Sequence, residues 1–190
     1  MTAKQHRRKV LLILLSVLLI LVTAAYFAVE PIERNFYPIQ YRDTVEEYAA
    51  SCNLPPSLVY AVIHTESRFQ PDAISSAEAK GLMQITDDTY RWACRRAGEQ
   101  ASTPDDLYEP DTNIRVGCYV LFLLYEQFSE TETVLAAYNA GQGRVRGWLS
   151  DPAYSKDGKT LYNIPYEETA NYVSRVLKTQ QRYQQLYNIP

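Results

Sequence analysis

Pro55-Pro56-Ser57-Leu58-Val59-Tyr60-Ala61-Val62-Ile63-His64-Thr65-Glu66 is the stretch on which the fold turns. Its prolines suit a first helical turn, where a missing N–H has no intrahelical partner to lose. Leu58, Val59, Val62 and Ile63 recur at helical spacing and define a buried face. Glu66 falls seven residues after Val59, four after Val62 and three after Ile63, so it extends that face. A carboxylate placed there is desolvated, which disfavours its charged form and raises its pKa towards the range a general acid needs near neutral pH. On this stretch alone two other arrangements stay open, exposure of Glu66 by fraying of the last turn and an ion pair with Arg68 or Lys80.

Outward from this stretch, helical spacing continues almost throughout residues 41–190 and predicts an all-α domain. Helices are expected over 41–52, 55–68 and 86–97, the third with Thr86 as N-cap and Asp87 and Asp88 at its positive end. The segment 111–128 carries the broadest apolar stripe, through Ile114, Gly117, Cys118, Leu121, Leu124, Tyr125 and Phe128, as a central core helix does. Ser129-x-x-Glu132 reads as a capping box for a helix ending at Asn139 and stopped by Gly141. A helix over 169–187 closes the domain, 150–162 reads as a loop around Asp157-Gly158, and no alternating strand pattern of useful length appears.

Residues 10–29 carry no charge and match the ~20 residues of a membrane-spanning helix. Lys4, Arg7, Arg8 and Lys9 precede them and favour a cytoplasmic N-terminus. The expected order is a cytoplasmic basic segment over 1–9, a single transmembrane signal-anchor over 10–29, a linker over 30–40 interrupted by Pro31 and Pro38, and an extracytoplasmic domain over 41–190. A cleaved signal peptide is the competing reading, with Ala24, Ala25 and Ala28 as cleavage positions, but the apolar run exceeds the ~7–15 residues of a usual signal core.

The formal charge of −3 conceals a more acidic domain, because four basic residues precede the apolar run and leave 15 basic against 22 acidic residues beyond it, a net of −7. That balance argues against nucleic acid, and Arg95-Arg96 and Arg144-x-Arg146 are too sparse for a phosphate-binding face. Cys52, Cys94, Cys118, His6 and His64 show no metal-ligand spacing, and no motif asks for a cofactor. Cys94 and Cys118 fall on helices that a disulfide joins if they pack together, the alternative being three buried thiols. Gly141-x-Gly143 with Gly147 lacks the preceding strand of a dinucleotide site and reads as a helix stop and turn. His64 and Ser67, on one helix without an acidic orienter, make a poor hydrolase pair.

Four further features share an order. Glu66-Ser67-Arg68-Phe69 is followed by Gly81-Leu82-Met83-Gln84, by Ala137-Tyr138-Asn139-Ala140-Gly141, and by Ile164-Pro165-Tyr166-Glu167-Glu168-Thr169 with Tyr172 beyond. From about Phe36 to Tyr187 this series resembles the catalytic domain of the soluble lytic transglycosylases, the SLT fold shared distantly with goose-type lysozymes. The resemblance implies a lysozyme-like helical domain that binds peptidoglycan glycan strands and cuts between N-acetylmuramic acid and N-acetylglucosamine. It implies Glu66 as the catalytic acid and base, Tyr138 and Asn139 lining the scissile site, Gln84 bonding sugar, Met83 packing on a sugar ring, and Ser67 and Tyr172 supporting the acid. The family commonly carries a glycine where Glu78 stands. Glycosidases usually set two carboxylates about the bond, and no second one here sits in a comparably apolar motif. A one-carboxylate mechanism finds its nucleophile in the substrate, as the muramoyl C6 hydroxyl, giving a 1,6-anhydro product. A muramidase using water and a non-catalytic wall-binding module are the alternatives.

Overall fold

The computed structural model describes the backbone of residues 3–190 and all side chains within it but those at 3, 4, 6, 8–10 and 24–30. The chain divides into two units after Pro38. The first holds one helix, α1 (Ala3–Phe36). Its described apolar side chains from Leu11 to Val22 are all exposed. Among the described residues no helix is long and apolar enough to cross a membrane. Within the expected span over 10–29, side chains are described only over 11–23, short of the ~20 residues a span requires. The remainder of the expected span over 10–29, the side chains of Lys4, Arg8 and Lys9, and those of Ala24, Ala25 and Ala28 lie outside the described residues. α1 also runs through Pro31, where a linker was expected to interrupt it. Proline removes one donor and bends a long helix without ending it when the turns on either side persist.

The second unit is helical, with α2 (Arg42–Ser51), α3 (Pro56–Glu66), α4 (Asp87–Ala97), a 3₁₀ turn (Pro104–Tyr108), α5 (Pro110–Tyr125), α6 (Thr131–Ala140), α7 (Gln142–Leu149) and α8 (Glu167–Tyr187). Strand-like pairing among the described residues is limited to isolated bridges of Ile74 with Lys80 and Lys80 with Ile85. α5 runs through the centre, with Ile114, Cys118 and Leu121 fully buried, the isoleucine and the leucine each contributing about 1.5–3 kcal/mol. α8 packs along α3 and α6, α2 along α5. This brings the ends of α3 and α6 and the start of α8 to one region.

Most helix limits follow the spacing within a residue or two. The Thr86 hydroxyl accepts the Thr89 N–H at 3.3 Å, and Gly98, at φ 73°, ends α4. Two expectations are corrected. α6 starts at Thr131 with Glu130 as an N-cap that makes no side-chain cap, so Ser129 and Glu132 stand one residue out of register for a capping box. The glycines at 143 and 147 sit inside α7, not in a turn. Burial of Val145 and Trp148, three residues apart, outweighs their low helix propensity. Cys52, Cys94 and Cys118 are free thiols, so no Cys94–Cys118 bond forms, and burial raises the Cys118 thiol pKa.

Candidate active site

α3 is buried from Ser57 to Ile63 and delivers Glu66 as its last residue. Burial lifts the Glu66 carboxyl from its ordinary 4.5 to about 7, against the opposing pull of the Tyr172 hydroxyl and the Arg175 guanidinium, both from α8. Neither expected cation pairs with it. Lys80 is held by Asp87 at 3.0 Å and Asp105 at 3.6 Å, and Arg68 is turned to solvent. Tyr172 is 2% exposed, and burial beside Glu66 raises its own pKa well above 10. Its hydroxyl faces the carboxyl but stands outside normal hydrogen-bond geometry, leaving it without a partner.

Past Glu66 the chain turns sharply. Ser67 donates to the Leu82 carbonyl at 2.8 Å and to that of Ile63 at 3.2 Å. Arg68 and Phe69 then adopt φ of 52° and 64°, a left-handed pair that costs roughly 1–3 kcal/mol per residue. Burial of Phe69 against Tyr60, ring centroids 6.4 Å apart, offsets that strain. Glu78 also sits at a positive φ of 60°, a region that an L side chain tolerates less well than glycine.

Residues 79–85 form the facing wall. Gly81 has φ 73°, and a Cβ there would fall 2.2 Å from the Leu107 carbonyl and 2.3 Å from Asn113 Nδ2. Asn113, fully buried on α5, accepts the Met83 N–H at 2.7 Å and donates to the carbonyls of Lys80 at 2.9 Å and Leu107 at 2.7 Å. The Tyr138 hydroxyl, from α6, donates to the Met83 carbonyl at 2.8 Å. Gln84, at φ 51°, donates through Nε2 to the carbonyls of Ala73 and Gly81 at 3.1 and 3.0 Å. Hydrogen bonds from the end of α3, from α5 and from α6 thus hold this loop.

On the third side, Asn139 Oδ1 accepts the Thr169 hydroxyl at 2.8 Å, joining α6 to the start of α8. Between the three walls lies a groove of about 470 Å³ that Glu66, Gln84, Tyr138, Asn139 and Glu168 line, with the 75–77 loop across from them. A larger hollow of about 700 Å³, bordered by Tyr125, Arg146 and Lys159, contains none of the seven predicted residues. Among the described residues no group of three or more His, Cys, Asp or Glu side chains is placed to hold a metal ion.

The structure therefore gathers Glu66, Gln84, Tyr138 and Asn139 at the groove, with Ser67 and Tyr172 buried behind them. Met83 differs. Its side chain is fully buried, and a Cβ on Gly117 of α5 would lie 2.2 Å from its sulfur, so the flexible thioether fills the slot that glycine leaves in the core. Its side chain does not line the groove; its backbone holds Tyr138. Sequence reasoning missed Asn113, Thr169 and Arg175. Asn113 carried a readable signal, since it lies four residues before Gly117 on the apolar stripe of α5, out of place as Glu66 is on α3.

The model of the transglycosylase SLT domain family matches residues 43–161. The soluble lytic murein transglycosylase of Escherichia coli is 36% identical over 144 residues, covering 74% of this chain and 22% of that protein. The membrane-bound lytic murein transglycosylase C of Haemophilus influenzae is 31% identical over 167 residues, covering 76% of this chain and 46% of that protein. The chain thus spans less than half the length of each. Among solved structures, an inactive Glu-to-Gln mutant of the lytic transglycosylase Slt from Pseudomonas aeruginosa matches with a TM-score of 0.71 and 34% identity over 81% of this chain and 25% of that one. The 70 kDa soluble lytic transglycosylase of Escherichia coli matches with a TM-score of 0.70 and 33% identity over 78% of this chain and 25% of that one, and the same values hold for its complex with bulgecin A. With the family model covering more than half of its residues, the chain belongs to the transglycosylase SLT domain family.

Proposed function

We propose that residues 41–190 form a peptidoglycan lytic transglycosylase with Glu66 as both acid and base. One observation carries this reading. A single carboxyl, lifted by burial to about 7, stands at a groove whose other carboxylate, Glu168, is exposed. Glu66 gives its proton to the oxygen joining N-acetylmuramic acid to N-acetylglucosamine as the bond to the anomeric carbon breaks, and the substrate's acetamide steadies the positive charge left there. The muramoyl C6 oxygen then bonds to that carbon and passes its proton to the Glu66 carboxylate. The product is a 1,6-anhydro sugar, Glu66 ends protonated, and no water is consumed. Tyr138 and Asn139 line the scissile site, Gln84 meets a sugar edge, and Ser67 and Tyr172 support the acid. The inactive Glu-to-Gln mutant of the Pseudomonas relative and the bulgecin A complex of the Escherichia coli one support this reading.

Glu168 at the groove supports a second reading, in which it holds a water molecule and the same bond is hydrolysed. Both enzyme readings require that the protein release soluble muropeptides from purified sacculi at pH 6–7, as mass spectrometry reads directly. Glycan binding without any release would assign the domain to wall docking instead.

Residues 10–29 are proposed as an uncleaved anchor that holds this domain outside the cytoplasm. The uncharged run, its basic flank and a relative described as membrane-bound support this. The full-length protein is expected to stay in the membrane fraction after a high-salt wash. A mature N-terminus at or beyond Ala25 would instead show cleavage.

A further inference from the structure

A hollow of about 240 Å³ lies where the end of α3 meets α8, lined by His64, Thr65, Arg68, Arg175, Lys178 and Thr179. Each of these side chains is a hydrogen-bond donor, and none is acidic. Arg68, Arg175 and Lys178 set three fixed positive charges around one opening, although the chain beyond the apolar run carries a net −7. Among the described residues none of the three takes part in an ion pair, whereas Arg42, Lys80 and Arg115 do. Three like charges around one opening repel one another, and none is neutralised by a direct ion pair among the described residues. Thr65, whose hydroxyl is one of four buried hydroxyls without a hydrogen-bond partner among the described residues, belongs to the same lining.

We propose that this hollow is an anion site, separate from the glycan groove, that takes a phosphate-class oxyanion, free or carried in a phosphodiester chain. A tetrahedral oxyanion accepts donors from several directions. The hollow offers two guanidinium forks, an ammonium and hydroxyls, more than a planar carboxylate uses. The site also communicates with Glu66. Arg175 lines the hollow and its charge favours the Glu66 carboxylate. Of the other groups around Glu66, Tyr172 comes from α8, Tyr138 from α6, and Glu168 lines the groove, so Arg175 is the cation among them. A bound anion offsets Arg175, and Glu66 then keeps its proton to higher pH; by reciprocity, a protonated Glu66 tightens the anion. This coupling rests on the acid role proposed for Glu66, whereas the binding does not.

The test is calorimetric titration of the full chain with inorganic phosphate and with a glycerol-phosphate oligomer at constant ionic strength, beside the double variant Arg68→Ala/Lys178→Ala. The expected result is saturable binding of at least one probe, weakened roughly tenfold or more in the variant, as the loss of two charge-assisted hydrogen bonds requires. Tighter binding of the oligomer per phosphate assigns the phosphodiester, and equal binding assigns free phosphate. Failure of both probes to saturate, or equal affinity in the variant, overturns the site. In parallel, phosphate should move the alkaline limb of the pH profile of sacculus digestion upward in wild type only, with the variant's activity in its absence unchanged. An unmoved limb despite binding overturns the coupling. A protein that binds phosphate yet digests no glycan overturns the reading of Glu66 and leaves the anion site standing.

Discussion

Glu66→Gln is expected to lower muropeptide release from sacculi by ~10²-fold or more, the usual contribution of a positioned acid and base, while the fold persists. Glutamine keeps the shape and polarity of the side chain but neither gives nor takes a proton at the glycosidic oxygen. In the wild type the acid must carry its proton, so activity falls as pH rises through about 7. The same shift has a consequence for stability. Because the folded-state pKa of about 7 lies above the ordinary 4.5, the folded chain holds a proton that the unfolded chain has released between those values. The contribution of Glu66 to stability is therefore fully present below that window, declines as pH rises across it, and is lost above it. The glutamine variant has no such decline and is expected to melt at or above the wild-type temperature at pH 8. Rates across pH 5–9 and melting curves at pH 5 and 8 check both statements. Near-normal turnover by the variant would remove Glu66 from the chemistry, and a lower melting temperature at pH 8 would show that its burial has been misread.

Asn113→Ala is expected to destabilise the domain by about 3–5 kcal/mol, through the loss of a buried side chain that satisfies three backbone groups. Without it the Met83 N–H and the carbonyls of Lys80 and Leu107 lose the partners now at 2.7, 2.9 and 2.7 Å. Such a loss is a large share of the ~5–15 kcal/mol that holds an ordinary domain folded. Because the released loop carries Gln84 and supports Tyr138 through the Met83 carbonyl, glycan binding should weaken as well, even where the variant remains folded. Urea unfolding reads the first effect and glycan affinity at low temperature the second. A change below about 1 kcal/mol would mean that water takes over the three bonds, and that the loop is not held from α5.

What the sequence made legible was what depends on near neighbours. α3, α4, α5 and α8 were readable because apolar spacing, prolines at a first turn and Thr86 all act within a few residues. The start of α6 was misplaced because Ser129 and Glu132 match a capping pattern in type, while the helix begins beyond them at Thr131. α7 was unreadable from propensity, since Gly143 and Gly147 argue against a helix that burial of Trp148 sustains. The site divides along the same line. Glu66 betrayed itself by standing on an apolar face. The place of Met83 depended on Gly117, Asn113 and Tyr138, the last two lying 30 and 55 residues along the chain, and no local pattern shows that a thioether will fill the slot left by a distant glycine. Arg175 was hidden for a similar reason, as its relation to Glu66 exists only once α8 lies along α3.

In the proposed reaction one carboxyl, with no water, cuts the glycan and closes the sugar on itself. The C6 hydroxyl, held within the same ring, has an effective-molarity advantage that reaches ~10⁵ M or more in well-oriented systems, so it should outcompete solvent at the anomeric carbon. Digestion of sacculi in ¹⁸O-labelled water, followed by mass spectrometry of the released muropeptides, tests this most directly. The expected products are unlabelled and end in 1,6-anhydro-N-acetylmuramic acid, about one water lighter than hydrolysis products and without a reducing end. Labelled, reducing muramic acid ends would contradict it and make water the nucleophile.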